Sequence, residues 1–214
     1  MAVTPIFCEH VMASLSLRPL RRVVIASAAL LGCAAGSAAP QTPAPAAPAP
    51  GAAPACPALL QQNVLRLQDE KPQSLCQYSG QVVVVVNTAS FCGFTPQYKG
   101  LEALYANYQR RGLVVLGFPS NDFAQETGSN KEIADFCENT FGVKFPMFTK
   151  TRVTGPDASP LFKQLAAQTG TAPRWNFYKY VISRDGSAVT AFNALTDPTS
   201  RRFLAEIEKQ LAKP

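Results

Sequence analysis

The chain has 214 residues, of which 20 are Lys or Arg and 14 are Asp or Glu, giving a formal net charge of +6 at pH 7. The charges are scattered and no basic stripe is interleaved with aromatic residues, so nucleic-acid binding is not expected. The one histidine, His10, lies ahead of the basic and apolar stretches of the secretion signal interpreted below, so the mature protein should contain no Ser-His-Asp triad, Cys-His pair or histidine-bearing metal site.

Residues 1–39 have the pattern of a secretion signal. A basic stretch at 18–22 precedes an apolar run at 23–31, and small residues follow, which is the order of regions in a signal peptide. The apolar run is too short for a permanent membrane helix. Met12 is a better-placed start than the first residue, because it leaves a short basic region ahead of the apolar run. The segment predicts an exported, periplasmic protein.

The end of this signal allows two kinds of processing. Leu30-Leu31-Gly32-Cys33 resembles a bacterial lipoprotein signal, in which the cysteine becomes a lipid-anchored N-terminus. Leu31 departs from the small residue usual at its place, so lipidation at Cys33 and plain cleavage around Ala39 are two alternatives. Residues 40–55, mostly Ala and Pro, cannot bury enough apolar surface to fold and predict a semi-rigid linker. The folded domain is expected over residues 56–214.

The remaining chain alternates predicted strands and helices. The β-branched run at 82–86 is typical of a buried parallel strand. Further strands are predicted at 113–118, 180–183 and 188–192, with a short strand-like piece at 145–148. Helices are predicted at 96–111, 129–141, 160–168 and 199–212. This order predicts an α/β protein with a thioredoxin-like fold, in which a mixed central sheet is flanked by helices on both faces.

Cys92 lies where the strand at 82–86 has ended and just before the next helix, on a turn that contains Gly93. A cysteine on such a turn tends to be reachable from solvent. The N–H groups and positive dipole end of the helix are expected to stabilise its thiolate without a histidine. A thiolate can attack one oxygen of a peroxide and expel the other. An inert buried cysteine is the alternative.

The segment from Asn87 to Thr95 resembles the glutathione peroxidase signature Asn-x-Ala-Ser-x-Cys-Gly-x-Thr. The match covers nearly all of residues 81–212. It continues through Pro96-Gln97-Tyr98, Gly100-Leu101-Glu102-Ala103-Leu104, Gly117-Phe118-Pro119-Ser120-Asn121-Asp122-Phe123, Gly128-Ser129-Asn130, Phe145-Pro146-Met147-Phe148 and Trp175-Asn176-Phe177. The resemblance implies a thiol peroxidase that needs no cofactor or metal and acts against oxidative stress. It would reduce hydrogen peroxide and organic hydroperoxides with a thioredoxin-like protein or glutathione as reductant.

The family resemblance also implies a catalytic tetrad of Cys, Gln, Trp and Asn. It makes Cys92 the peroxidatic residue, with Trp175 and Asn176 as hydrogen-bond donors that stabilise the thiolate and the charge on the leaving oxygen.

The glutamine position departs from the family pattern, because Asp122 follows Asn121 where relatives usually have Asn-Gln-Phe. Asp122 could be protonated and donate a hydrogen bond. It could instead point elsewhere, with Gln125 or Asn121 as the substitute donor, or the enzyme could simply be slower.

Three further cysteines have predicted roles. In relatives that use thioredoxin, a resolving cysteine lies in the region of Cys137, so the resemblance implies that Cys137 condenses with oxidised Cys92 after local unwinding of its helix. A core cysteine is the alternative. Cys56 and Cys76 are expected to form a structural disulfide, because leftover cysteines of exported proteins usually pair. A second redox pair, or a free Cys56, is the alternative.

The short segment 168–174 implies a monomer, because tetrameric relatives that prefer glutathione carry a longer loop here. The same absence favours a protein reductant. Two other functions stay open: a periplasmic thiol–disulfide oxidoreductase and a non-catalytic peroxide sensor. The first is weakened because Cys92-Gly93-Phe94-Thr95 lacks the second cysteine of a Cys-X-X-Cys motif.

Overall fold

The computed structural model describes residues 55–213. The predicted signal with Met12 and Cys33, and the predicted linker as far as residue 54, lie outside the described residues. Within residues 55–213, no helix has the length and apolar character needed to cross a membrane.

The described chain forms a mixed four-stranded sheet, a separate two-stranded hairpin and four α-helices. In chain order the elements are β1 (Asn63–Leu65), β2 (Pro72–Ser74), β3 (Val82–Thr88), α1 (Gln97–Tyr108), β4 (Leu113–Pro119), α2 (Asn130–Phe141), α3 (Pro160–Thr169), β5 (Lys179–Ile182), β6 (Val189–Phe192) and α4 (Arg201–Leu211).

The central sheet has the strand order β4-β3-β5-β6, with β3 parallel to β4 and antiparallel to β5. Because successive side chains of a strand point to opposite faces, the valines of β3 divide between two cores. Val82, Val84 and Val86 pack with residues of α1, α2 and α4, whereas Val83 and Val85 pack with residues of α3. The predicted mixed sheet with helices on both faces is confirmed.

Local signals at α2 match the predicted helix ends. Ser129 is the N-cap, and its side chain and that of Glu132 form a reciprocal capping box. Gly142 ends the helix in the left-handed conformation, with φ of 63°.

The piece at 145–148 is not a strand of the sheet. It makes isolated bridges, one of them between Met147 and Gly117 of β4. Gly117 allows this close approach, because a Cβ at that position would collide with Met147 Sδ and lie 3.1 Å from Phe145. The hairpin β1–β2 was not predicted; each of its strands has only three residues and no buried side chain.

Cys56 and Cys76 form a disulfide, with their Cα atoms 5.2 Å apart. Cys76 lies in the 3-10 turn Leu75–Tyr78. The bond therefore joins the start of the described domain to the turn ahead of β3.

Candidate active site

Cys92 lies on the loop between β3 and α1, and hydrogen bonds within the loop fix its position. The hydroxyl of Thr95 accepts a hydrogen bond from the Cys92 N–H at 3.0 Å and donates one to the Ala89 carbonyl at 2.9 Å. Cys92 is 8% exposed. The Phe94 N–H donates to Cys92 Sγ at 3.4 Å, and a backbone donor of this kind stabilises negative charge on sulfur. A Cβ at Gly93 would meet no atom within 4 Å, so one side of the loop is open.

The segment Trp175-Asn176-Phe177 precedes β5 and is held by Asn87 of β3. The Asn87 side chain donates to the Trp175 carbonyl at 3.1 Å and accepts from the Tyr178 N–H at 3.0 Å. The Asn87 carbonyl accepts from the Phe177 N–H at 2.7 Å. Phe177 has a positive φ of 61°, a strained conformation of the kind that concentrates at functional sites.

Gln125 and Asn176 meet beside the Cys92 loop. The Asn176 amide nitrogen donates to Gln125 Oε1 at 2.8 Å, and Asn176 is fully buried. The Gln125 carbonyl accepts from the N–H of Phe91, the residue before Cys92, at 3.1 Å. Because the Gln125 side chain accepts the hydrogen bond from Asn176 through Oε1, the N–H groups of the Gln125 side-chain amide are not used in that bond. The structure thus brings together a glutamine, an asparagine and a cysteine loop from three separate parts of the chain.

Asp122 does not take part in this cluster. One carboxylate oxygen accepts from the backbone N–H groups of Val153 and Thr154, at 2.7 and 3.0 Å, and the other pairs with Arg152 Nε at 2.7 Å. The structure corrects the placing of Asp122 among the catalytic residues near Cys92 and agrees with the alternative in which its side chain points elsewhere. A carboxylate only accepts hydrogen bonds, and here three donors from one loop hold it. Gln125, the predicted substitute, occupies the position next to Asn176.

Trp175 is 41% exposed and packs against Phe123, with ring centroids 5.5 Å apart. Trp175 and Phe94 line the same surface cavity, of about 480 Å³. Since Phe94 is two residues after Cys92, this cavity places the indole beside the cysteine loop. Asn121, the other predicted substitute, accepts from the Glu126 N–H at 3.0 Å through its side-chain oxygen.

Cys137 is on α2, buried, and not bonded to another cysteine. It belongs to the same core cluster as Cys92. Burial raises the pKa of the Cys137 thiol to about 11, although the nearby Tyr98 hydroxyl acts in the opposite direction. In this structure Cys137 is therefore a core thiol that burial keeps protonated at neutral pH.

Three polar residues at the site were not predicted individually as functional residues. Asn87 and Thr95 belong to the signature segment, so the motif contained a signal for them. Lys179 had no such signal. Its ammonium is fully buried and donates to Gln97 Oε1 and to the Phe177 carbonyl, both at 2.7 Å. Burial lowers the pKa of Lys179 to about 7.

Metal binding has no candidate ligand set in residues 55–213, where no three His, Cys, Asp or Glu side chains cluster closely enough. The arrangement is that of a cysteine whose sulfur accepts from one backbone N–H, that of Phe94, on a loop that adjoins the Gln125–Asn176 pair.

Comparison with known proteins gives consistent results. The profile of the family described as glutathione peroxidase matches residues 60–166. The hydroperoxy fatty acid reductase gpx1 of Synechocystis sp. is 46% identical over 154 residues, which cover 67% of this chain and 90% of that protein. The glutathione peroxidase-like peroxiredoxin gpx1 of Schizosaccharomyces pombe is 44% identical over 136 residues, 61% of this chain and 86% of that protein.

Among solved structures, that of T. cruzi GPX1 aligns with a TM-score of 0.56 at 31% identity, over 72% of this chain and 95% of that chain. The alignment confirms the predicted thioredoxin-like fold. Since the family profile matches residues 60–166 and a relative 46% identical covers 67% of the sequence, this chain belongs to the glutathione peroxidase family.

Proposed function

We propose that this member of the family is a thiol peroxidase in which Cys92 reduces hydrogen peroxide and organic hydroperoxides. The Cys92 thiolate attacks one peroxide oxygen and the O–O bond breaks. The other oxygen leaves as water or an alcohol after it takes up a proton. Cys92 becomes a sulfenic acid, which two electrons from thiols must return to the thiol, with loss of water.

The convergence of three segments on the Cys92 loop is the observation that carries this proposal. The Phe94 N–H donates to the sulfur, Gln125 is bonded to the loop through the Phe91 N–H, and Asn176 is bonded to Gln125. Fixed donors around a reacting sulfur stabilise the charge that develops on the departing oxygen, and need no reorganisation during the reaction.

The test of this proposal is steady-state peroxide reduction by the domain, with thioredoxin and glutathione compared as reductants. Cys92→Ser should keep the fold and retain no more than a few per cent of the activity, because a serine hydroxyl is hardly ionised at neutral pH. Cys92 is not the nucleophile if this variant turns over peroxide at an appreciable rate.

Cys137 is the resolving cysteine in this proposal, and a thioredoxin-like protein is the reductant. Its place in the same core cluster as Cys92 supports the role. Cys137→Ser should be oxidised by peroxide at the normal rate but should not cycle with thioredoxin. Peptide mapping of the oxidised wild type should find a Cys92–Cys137 disulfide. Normal cycling of the variant on thioredoxin would exclude the assignment.

Organic hydroperoxides with apolar chains are favoured as substrates by the surface around the site. Phe91, Trp175 and Leu195 are exposed at 67%, 41% and 78%. Trp175 and Leu195 line the cavity beside the Cys92 loop together with Arg174, whose charge suits a carboxylate. One relative is named a hydroperoxy fatty acid reductase. Leu195→Ser should lower kcat/KM for a fatty acid hydroperoxide and leave that for hydrogen peroxide unchanged; equal losses on both would contradict this choice.

The proposal also includes export of the protein to the periplasm and a monomeric state. The basic and apolar pattern of residues 1–39 supports secretion to the periplasm, with Cys33 as the point of lipid attachment if the lipoprotein signal is used. The short connection from Gly170 to Arg174 supports a monomer. Cell fractionation, labelling with a radioactive fatty acid, and light scattering after gel filtration test the three statements separately.

A thiol–disulfide oxidoreductase is less well supported. The position where a second cysteine would stand is occupied by Thr95, whose hydroxyl is engaged with Cys92 N–H and the Ala89 carbonyl. Insulin reduction by this protein would reopen that function, and oxidation of Cys92 without turnover would favour a peroxide sensor.

A further inference from the structure

Glu126 is a buried carboxylate that the peroxide step does not use. Its side chain is fully buried next to Gln125, on the loop that packs against the Cys92 loop. One oxygen, Oε2, accepts from the hydroxyl of Ser90 at 3.0 Å, and Ser90 is two residues before Cys92. The other oxygen, Oε1, has no hydrogen-bond partner. A buried carboxylate oxygen without a partner is costly, and such groups call for an explanation.

The Glu126 carboxylate acts electrostatically on Cys137, the proposed resolving cysteine. The charge of Glu126 contributes to raising the pKa of Cys137, after burial, and also acts on Tyr98, whose pKa burial and Cys137 raise well above its usual range. The Tyr98 and Thr88 hydroxyls also have no hydrogen-bond partner of standard geometry. Glu126, Tyr98, Thr88 and Cys137 therefore form a small polar cluster enclosed by the core.

The Cys92 loop and α2 are separated by a surface cavity of about 300 Å³. Ser90, Phe91 and Glu126 line it from the loop side, and Ile133 and Phe136 line it from α2. A segment of α2 that opens toward Cys92 has this space to enter, and Glu126 lies at its edge. Because the Ser90 hydrogen bond joins Glu126 to the Cys92 loop, an opening of α2 would move Cys137 and leave the carboxylate on that loop.

We propose that Glu126 is the proton acceptor for the resolving cysteine, taking the proton from the Cys137 thiol as it approaches oxidised Cys92. This inference rests on the proposed resolving role of Cys137. The Cys137 thiolate attacks the sulfur of the Cys92 sulfenic acid, an S–S bond forms and the S–O bond breaks. The hydroxide that leaves takes the proton from Glu126 and departs as water, so no outside oxidant or reductant is consumed.

The surroundings of Glu126 make it a stronger base than an ordinary carboxylate. Burial raises its pKa above the usual value, while the Ser90 hydrogen bond and the charge of Lys150 act in the opposite direction. Lys150 donates to the Gly128 carbonyl at 2.6 Å, and Glu132, which lines the same cavity, is engaged with Ser129. A base with a raised pKa accepts a proton more readily than a surface carboxylate does.

The test separates the two chemical steps in one turnover. Wild type, Glu126→Gln and Glu138→Gln are each mixed with one equivalent of hydrogen peroxide, quenched with a thiol-alkylating reagent at set times, and analysed by mass spectrometry. Glu138 is the matched control, because it is an exposed carboxylate next to Cys137.

In Glu126→Gln, sulfenic acid should form within about twofold of the wild-type rate, and the disulfide should form about 100-fold more slowly. The wild-type rate of disulfide formation should rise with pH and level off as Glu126 ionises, whereas in Glu126→Gln it should keep rising. Glu138→Gln should match the wild type in both steps.

The inference is overturned if Glu126→Gln forms the disulfide at the wild-type rate, or if both variants slow it equally. Absence of a Cys92–Cys137 disulfide in the wild type would instead refute the resolving role of Cys137, and the inference with it. If Glu126→Gln does not fold, Glu126→Asp serves in its place. It should slow disulfide formation but keep the levelling of the pH profile, and loss of that levelling would count against the inference.

Discussion

Asp122 and Gln125 are three residues apart on one loop, yet their side chains have different partners. The carboxylate of Asp122 binds Arg152 and two backbone N–H groups, whereas Gln125 binds Asn176. Ala124, between them, has a positive φ of 57°, which turns the chain just before Gln125. In the structure, the Asp122 side chain is therefore bound to the 152–154 segment and not to the cysteine site.

Substitutions at these two positions should separate stability from catalysis. Asp122→Asn should lower the free energy of unfolding by about 1–3 kcal/mol, since it weakens buried hydrogen bonds. Oxidation of Cys92 by hydrogen peroxide should stay within about twofold of wild type. Gln125→Ala should slow that oxidation about tenfold to a thousandfold through loss of an amide donor. Urea unfolding and rapid-mixing kinetics give the two quantities, and a slow Asp122→Asn enzyme would return Asp122 to the site.

Lys179 should make stability depend on pH. Its pKa in the folded protein is about 7, against 10.5 ordinarily, because its ammonium is buried. Between these values the unfolded chain binds the extra proton, so this residue makes the fold more stable as the pH rises, by up to about 1.4 kcal/mol per pH unit. Urea unfolding at pH 7, 8 and 9 should show a flatter dependence for Lys179→Met than for wild type. Parallel curves would contradict the assignment.

For individual residues, prediction from the sequence worked where the residue lies in a continuous motif and failed to decide where its partners are distant in the chain. Cys92, Trp175 and Asn176 stand in compact motifs, and each motif is one continuous segment of the fold. The choice between Asp122 and Gln125 depends on donors about thirty residues further along the chain, at Val153 and Thr154. Residue spacing does not encode such tertiary partners, so the family pattern left the choice between the two positions open.

At the scale of elements, the helices and core strands followed from local patterns. The capping box at Ser129 and the glycine at 142 define α2 in the sequence and in the structure alike. The segment 145–148 differed because its apolar residues are buried by docking on β4 and not by pairing along a sheet. The hairpin β1–β2 has no buried side chain, so the apolar periodicity that identifies a strand is missing.

The close contact of Gly117 in β4 with the segment 145–148 can be tested directly. Gly117→Ala should lower the free energy of unfolding by about 1–3 kcal/mol, because its Cβ would collide with Met147. In the double variant Gly117→Ala, Met147→Ala, the loss of the Met147 side chain should recover part of that free energy. Gly93→Ala is the control, since its Cβ would meet nothing within 4 Å, and its stability should be unchanged. Chemical denaturation gives the free energy of unfolding of wild type, Gly117→Ala, the double variant and Gly93→Ala. An unchanged value for Gly117→Ala would show that the segment 145–148 can shift away from β4 at no cost in stability.

For the whole molecule, the Cys56–Cys76 disulfide ties the beginning of the described domain to its body. The bond closes a loop with a sequence separation of 20 residues, for which the chain-entropy argument gives about 3 kcal/mol. The double variant Cys56→Ser, Cys76→Ser should unfold at a lower temperature in calorimetry. Its peroxidase activity at low temperature should equal that of wild type, because neither cysteine belongs to the site. Loss of activity without loss of stability would indicate a redox role for the pair.

Trp175 is the only tryptophan in the sequence, and it stands half-exposed beside the cysteine loop. All tryptophan emission from this protein therefore comes from the site itself. A change in the cysteine loop, whose Phe94 lines the same cavity, would alter the environment of the indole, as would movement of Phe123, which packs against it. We therefore expect the fluorescence of Trp175 to change when the cysteine loop changes, so that oxidation can be followed in real time without an added dye.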